Sequence, residues 1–248
     1  MKRNVVLLAL ARLAASLLTA FLLSVAPSQA ADRALLNMLG YSQDGDYFAF
    51  EEFGIQDGSG FAFSTVYVVD LKHDKWTYGT PFSVVAEDEG KPLSAVRAEA
   101  LAKAKSKLDE YTIGVPVQIL SLIGDGAAAS SGLRVDWSTP ACCGPGQTQA
   151  DEYSLILETR GIGSDDDYCK DMSPVGFNLY YQDQTGRTEL HMDGEVLPKS
   201  RRCTLDYRIY AVVQPFEAFS GRRVAVIATY PFGFEGVDRR FLVVPIDK

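Results

Sequence analysis

Residues 230–240, YPFGFEGVDRR, gather aromatic and charged side chains into one short loop between two apolar runs. Its glycines permit backbone angles that other residues resist, so charged side chains can collect at a rim. Arginine binds carboxylate or phosphate through a fork of N–H donors, and an aromatic ring can stack on a sugar or a peptide. We therefore predict a binding rim made by Phe234, Glu235, Asp238, Arg239 and Arg240. The alternative is a turn whose acids and arginines pair with one another.

Paired carboxylates are a second kind of candidate, because glycoside hydrolysis needs two acids about 5 to 10 Å apart across a cleft. Glu51 with Glu52, or Glu235 with Asp238, could supply such a pair. The patterns G-x-S-x-G, S-x-x-K, H-E-x-x-H, the P-loop and G-x-G-x-x-G are all missing from the sequence. No catalytic residue is therefore assigned, and no cofactor is implied.

The acidic run Asp165, Asp166 and Asp167 offers hard oxygen ligands to calcium. It lacks the alternating acids, the central glycine and the final glutamate of an EF-hand loop, so a solvated acidic loop is the preferred interpretation and no metal site is assigned.

The cysteines are Cys142, Cys143, Cys169 and Cys203, an even number that indicates disulfides in an exported chain. Three pairings are possible. A bond between the neighbours Cys142 and Cys143 is strained, so we favour Cys169 with Cys203. The segment ACCGPG has neither C-x-x-C spacing nor a nearby histidine, which argues against a redox or metal motif.

Short apolar or alternating runs, broken by Gly, Asp, Asn and Pro, must position these side chains. They predict strands over residues 46–53, 64–71, 115–123, 132–137, 153–160, 176–183, 188–193, 207–215, 222–230 and 240–246. The fold class is therefore mainly β, with antiparallel sheets in a sandwich-like or propeller-like arrangement.

One segment, at about residues 94–111, predicts an amphipathic helix instead. Its apolar face comprises Val96, Ala100, Leu101, Ala104, Leu108 and Tyr111. Ser94 is the expected N-cap. The opposite face carries Arg97 and several lysines, and we interpret it as solvated rather than as a membrane-binding surface.

Residues 1–30 combine a basic start, an apolar run and small residues at 28 and 30, as a signal peptide does. The apolar run is too short to span a membrane, so we expect cleavage after Ala30, no transmembrane segment afterwards and a single domain over residues 31–248. The net charge is −8, and removal of three basic residues makes it −11. Nucleic acid and anionic lipid are disfavoured, because both need a basic surface.

The segments GYSQDGDYFAFEEFGIQDGSG, VYVVDL, LPKSRRC and GFEGVDRRF together resemble the Gram-negative family of predicted secreted proteins catalogued as Domain of Unknown Function 2259. Residues 41–71 also resemble, more weakly, a TolB-type WD40-like blade. The family resemblance implies a periplasmic or secreted location and no activity. We therefore expect a non-catalytic binding or interaction module for a periplasmic ligand or protein; the alternative is a cell-envelope glycan hydrolase or lyase that uses a Glu/Asp pair.

Overall fold

The computed structural model describes residues 31–124, 131–139, 151–169, 171–216 and 222–247. In chain order its strands and helix are β1 (Leu35–Tyr41), β2 (Tyr47–Ile55), β3 (Ala62–Asp70), β4 (Lys75–Trp76), β5 (Phe82–Val85), α1 (Leu93–Glu110), β6 (Val117–Leu122), β7 (Arg134–Thr139), β8 (Asp151–Gly161), β9 (Gly163–Ser164), β10 (Val175–Asp183), β11 (Gly186–Met192), β12 (Val196–Leu197), β13 (Thr204–Pro215), β14 (Val224–Pro231) and β15 (Arg240–Pro245). The predicted signal peptide and the Cys142–Cys143 pair lie outside the described residues. All ten predicted strands are confirmed, and so is the mainly β fold class.

Three antiparallel sheets contain most of these strands. The first sheet has the order β1-β2-β3-β4, with β5 also paired to β3, and the second has the order β11-β10-β8-β7. The third, which we call the middle sheet, has the order β15-β14-β13-β6. A short parallel pair joins β9 to β12.

The middle sheet is covered on both faces by apolar side chains. Ile209 and Ile227 pack with residues of the second sheet, whereas Val213 and Val226 pack with residues of the first sheet. A strand covered on both faces has no polar side to show, which explains the uninterrupted apolar runs of β14 and β15. The sheets therefore stack as layers, the sandwich-like form of the predicted architecture.

Helix α1 forms the outermost layer on the other face of the first sheet. Val96, Ala100 and Ala104 are buried against Ala62 and Val66. Alanine at two of these positions lets the helix approach the sheet closely. The helix begins at Leu93 after Pro92, and no side chain caps it, so the prediction of Ser94 as the N-cap was wrong. No helix in the described ranges is both long and apolar enough to cross a bilayer.

Candidate functional site: a cavity between two sheets

A cavity of about 460 Å³ lies where the inner face of the first sheet meets β15, the edge strand of the middle sheet. Tyr67 and Trp76 line it from the first sheet, and residues 241–244 line it from β15. His191 and the segment 200–202 complete the wall. Three separate parts of the chain therefore converge on one space, with aromatic, aliphatic and charged groups together.

Glu52 is the buried acid of this cavity, with 2 % of its surface exposed. Side chains alternate along a strand, so Glu52 shares with Phe48 and Phe50 the face of β2 that meets the middle sheet. Its Oε1 accepts a hydrogen bond from the backbone N–H of Phe241, and its Oε2 accepts one from the Tyr67 hydroxyl at 3.2 Å. Burial raises the pKa of Glu52 to about 7, although these two donors oppose the shift. At neutral pH the carboxyl group is therefore divided between its protonated and ionised forms.

Glu51, the next residue, points to the opposite face of the same strand. Arg97 binds it through two hydrogen bonds, from Nε to Oε1 at 2.9 Å and from Nη2 to Oε2 at 2.7 Å. The Ser64 hydroxyl donates a third, at 2.9 Å. Burial opposes ionisation, but these donors lower the pKa of Glu51. Glu51 thus anchors α1 to the first sheet, and Glu51 and Glu52 cannot flank one scissile bond.

The five residues of the predicted rim divide between the surface and the interior. Phe234 is 89 % exposed and Glu235 is exposed, both at the tip of the loop. Asp238 and Arg239 are buried beneath it, and Arg240 is half-buried on the cavity wall. At Gly233 an added Cβ would lie 2.4 Å from Oδ1 of Asp238, so the loop can fold over this acid only with glycine there. Of the five, Arg240 alone lines the cavity.

Residues 32–34, which we call the amino-terminal strap, satisfy the buried charges of this loop. Arg239 donates from Nε and Nη2 to the carbonyl oxygen of Ala34, at 3.0 and 2.8 Å. Arg240 donates to the Asp32 carbonyl at 2.8 Å and pairs with its carboxylate at 3.2 Å. The Asp32 N–H donates to Asp238 at 3.1 Å. Burial raises the pKa of Asp238, and Arg240 opposes that shift. The loop and the strap therefore form one structural unit.

Two further arginines reach the cavity from the segment after β12. Arg201 lies 3.4 Å from Asp193 and donates to the Tyr207 hydroxyl at 3.2 Å. Asp193 also accepts a hydrogen bond from His191 at 2.8 Å. Arg202 is different: its side chain is 61 % exposed, its nearest carboxylate is that of Asp238 at 3.8 Å, and its backbone has a φ of 53°. A non-glycine residue in that region of φ is uncommon and is held there by its surroundings.

Cys169 and Cys203 are both buried and carry free thiols in this structure. Burial raises the pKa of the Cys203 thiol to about 12, and a hydrogen bond with Cys169 adds to the shift. The two sulfur atoms are therefore neighbours, and their pairing as a disulfide stays a prediction. In the acidic run, Asp166 accepts the Tyr168 N–H at 3.0 Å, and the described residues contain no group of three potential ligands close enough to hold a metal ion.

The sequence interpretation missed most of this cavity. Glu52 was considered only as a partner for Glu51, and neither Tyr67 nor Trp76 was assigned to a site. The signal for Glu52 was present in the alternation of YFAFEEF, which puts one glutamate on each face of the strand. No local signal brings Arg202 to Trp76, because their proximity depends on how the sheets stack.

A family model described as a predicted secreted protein, Domain of Unknown Function 2259, matches residues 49–247. The chain belongs to this family. The matched region begins within β2, so it includes the residues of the cavity wall but not the amino-terminal strap. No curated protein and no solved structure matches the chain significantly.

Proposed function

We propose that the protein is a non-catalytic binding module that acts in the periplasm of a Gram-negative bacterium, and that its ligand occupies the cavity between the first sheet and β15. The single observation that carries this proposal is the cavity itself, about 460 Å³ in volume and lined by converging aromatic, aliphatic and charged side chains. Small-molecule sites have this size and this mixture of an apolar wall with a few placed polar groups.

The exported location is supported by the family description and by the strap. The family is described as predicted secreted proteins. Asp32 is the second residue after the expected cleavage point, and it is held by the backbone N–H of Arg239 and the side chain of Arg240. A chain cut after Ala30 would therefore keep every strap residue that the loop uses. Amino-terminal sequencing of the protein from a periplasmic extract should begin at Ala31.

Carboxylate geometry supports binding rather than glycan hydrolysis. The acids on the cavity wall are Glu52 and Asp74. Glu52 lies opposite Thr65 in the β2–β3 ladder, whereas Asp74 lies in the turn beyond Asp70, at least five residues further along. Five strand residues separate the Cα atoms by about 17 Å along the strand. Glycoside hydrolysis needs carboxyl groups only about 5 to 9.5 Å apart.

One observation favours the second candidate, a cell-envelope glycan hydrolase or lyase. Burial raises the pKa of Glu52 to about 7, and a general acid works best when its pKa lies near the working pH. Turnover of peptidoglycan or glycan fragments that disappears in Glu52→Gln would support the enzyme. Tight binding of a fragment without turnover supports the binding module.

A cavity-filling variant tests the proposed site. Thr65 is a partly exposed residue of the cavity wall on β3, so Thr65→Trp should block the space without breaking the strand. Thr159→Trp, at an exposed position of β8, is the matched control. Native mass spectrometry would be recorded after incubation with muropeptides and with the small-molecule fraction of a periplasmic extract. We expect a bound mass on the wild type and the control but not on Thr65→Trp. Equal masses on both variants, or none on the wild type, would contradict the proposal.

A further inference from the structure

The residues that line the cavity include more bases than acids, although the chain as a whole is acidic, with a net charge of −8. The basic residues on the wall are Lys75, Arg201, Arg202 and Arg240. The acids on it are Glu52 and Asp74, and Glu52 is only partly ionised at neutral pH because burial raises its pKa. Basic groups around one cavity are a feature of anion-binding sites, and the charge that each can offer a ligand depends on the acids behind it.

Two of these arginines are already oriented by acids that lie outside the wall. Asp193 holds Arg201, and Asp32 and Asp238 hold Arg240 at 3.2 and 3.6 Å. Their guanidinium groups are therefore fixed in place, and part of their charge is balanced. A fixed fork of N–H donors binds carboxylate or phosphate oxygens with little loss of side-chain freedom.

Arg202 is the basic side chain of the cavity whose charge is least balanced by an acid. Arg202 shares Asp238 with Arg240, and at 3.8 Å its own contact with that acid is long. Lys75 is exposed, but it lies opposite Asp70 in the β3–β4 pairing, so its side chain is on the other face of the sheet from Trp76. The backbone of Arg202, at a φ of 53°, is held in a conformation that suits glycine better than arginine. Glycine would adopt this backbone conformation more easily. The backbone therefore does not explain why arginine stands here, and the side chain itself is the useful group.

The exposed aromatic ring of Trp76 also lines the cavity. Trp76 is 43 % exposed and packs against Tyr67, with ring centroids 5.4 Å apart. The aliphatic side chains of Val85 and Val243 extend the apolar part of the wall. A ligand that satisfies both parts carries an anionic group together with a ring that can lie against tryptophan.

We propose that the cavity binds a small sugar-like ring that carries one carboxylate or phosphate group, with the anionic oxygens at Arg202 and the ring against Trp76. This inference rests on the proposed binding function and specifies its ligand class. Carboxylate and phosphate present the same anionic oxygens to arginine, so the experiment must separate them.

The protein is titrated with three sugars that have the same ring and differ only at carbon 6. They are glucuronate, glucose 6-phosphate and glucose. The chain has two tryptophans, and Trp137 is buried in the second sheet, so a Trp137→Phe background leaves Trp76 as the reporter. We expect saturable changes in Trp76 fluorescence with at least one of the two anions, at concentrations at least about tenfold below those needed for glucose. The better of the two anions identifies the group.

Arg202→Gly distinguishes binding from structure. Glycine relieves the unfavourable backbone conformation, so the melting temperature should stay equal or rise, while anion affinity falls at least about tenfold. Arg134→Gln is the control, because Arg134 is an exposed arginine on β7, at the edge of the second sheet opposite β11.

Each other outcome has a separate meaning. Glucose binding as tightly as the anions would overturn the anionic ligand class and leave the proposed binding function intact. No response to any of the three sugars would also overturn this inference, while the Thr65→Trp experiment decides the proposed function independently. An Arg202→Gly variant with unchanged affinity would remove Arg202 from the site.

Discussion

Glu52→Gln should make the protein more stable at alkaline pH than the wild type. Glutamine has the same shape as glutamate, and its carbonyl oxygen can still accept the backbone N–H of Phe241. The Tyr67 hydroxyl can turn to accept a hydrogen bond from the new amide. The substitution therefore removes one ionisable group from beneath β15 and leaves the packing in place.

The size and sign of the effect follow from the pKa of Glu52. Folding raises this pKa from 4.5 to about 7. Each pKa unit corresponds to about 1.4 kcal/mol, so the shift of about 2.5 units corresponds to about 3 kcal/mol. The folded protein holds the proton more tightly than the unfolded chain. The contribution to stability is therefore fully present below pH 4.5 and is lost as the pH rises through 7.

Urea denaturation of both proteins between pH 4.5 and pH 8.5 measures this directly. The free energy of unfolding of Glu52→Gln minus that of the wild type should increase by about 3 kcal/mol across the range. Glu51→Gln is the control whose difference from the wild type should stay nearly constant over this range, because folding lowers the pKa of Glu51 and its contribution is already present above pH 4.5. A pH-independent difference for Glu52→Gln would refute the reasoning, since it would mean that the carboxyl group is solvated.

Three other perturbations test buried contacts outside the cavity. Arg97→Met should lower the free energy of unfolding by about 3 kcal/mol at pH 7, because it leaves Glu51 buried without its counter-ion; a loss below 1 kcal/mol in urea denaturation would contradict the ion pair. Arg239→Met should cost at least about 2 kcal/mol, because it leaves the Ala34 carbonyl without its donor, and thermal unfolding with no decrease in Tm would show that the strap is dispensable. Oxidation should join Cys169 to Cys203 and stabilise the protein by about 4 kcal/mol in the chain-entropy model. Mass spectrometry after alkylation, with and without reductant, checks this bond, and full alkylation of both thiols in the exported protein would exclude it.

The strands that the sequence predicted are those long enough to show a pattern. The missed strands β4, β9 and β12 have two residues each and β5 has four, too few for a clear period to appear. β1 was missed because its pairing with β2 shifts register between Met38 and Gly40, and such a bulge interrupts the alternation of side chains.

The site was harder to predict than the fold, because its contacts are distant in sequence. The charges of the final loop were expected either to pair with one another or to meet a partner. Asp238 and Arg240 do pair, but Arg239 finds its acceptor in Ala34, 205 residues away. Arg97 was assigned to the solvated face of α1, and it instead reaches Glu51. A helical pattern shows which face is apolar, but it does not show that a long side chain can reach past the edge of that face.

The amino-terminal strap can dock only when both ends of the described chain are present. Asp32 and Arg240 are in contact although 208 residues separate them, so the segment that closes between them is almost the whole described chain. Contacts between such distant residues slow folding, because the entropy of closing the long intervening segment is lost before they form. A chain that crosses a membrane amino terminus first would carry its strap undocked until β15 had followed. The strap would then dock only after translocation is complete, and the chain would cross the membrane before it had reached its stable form.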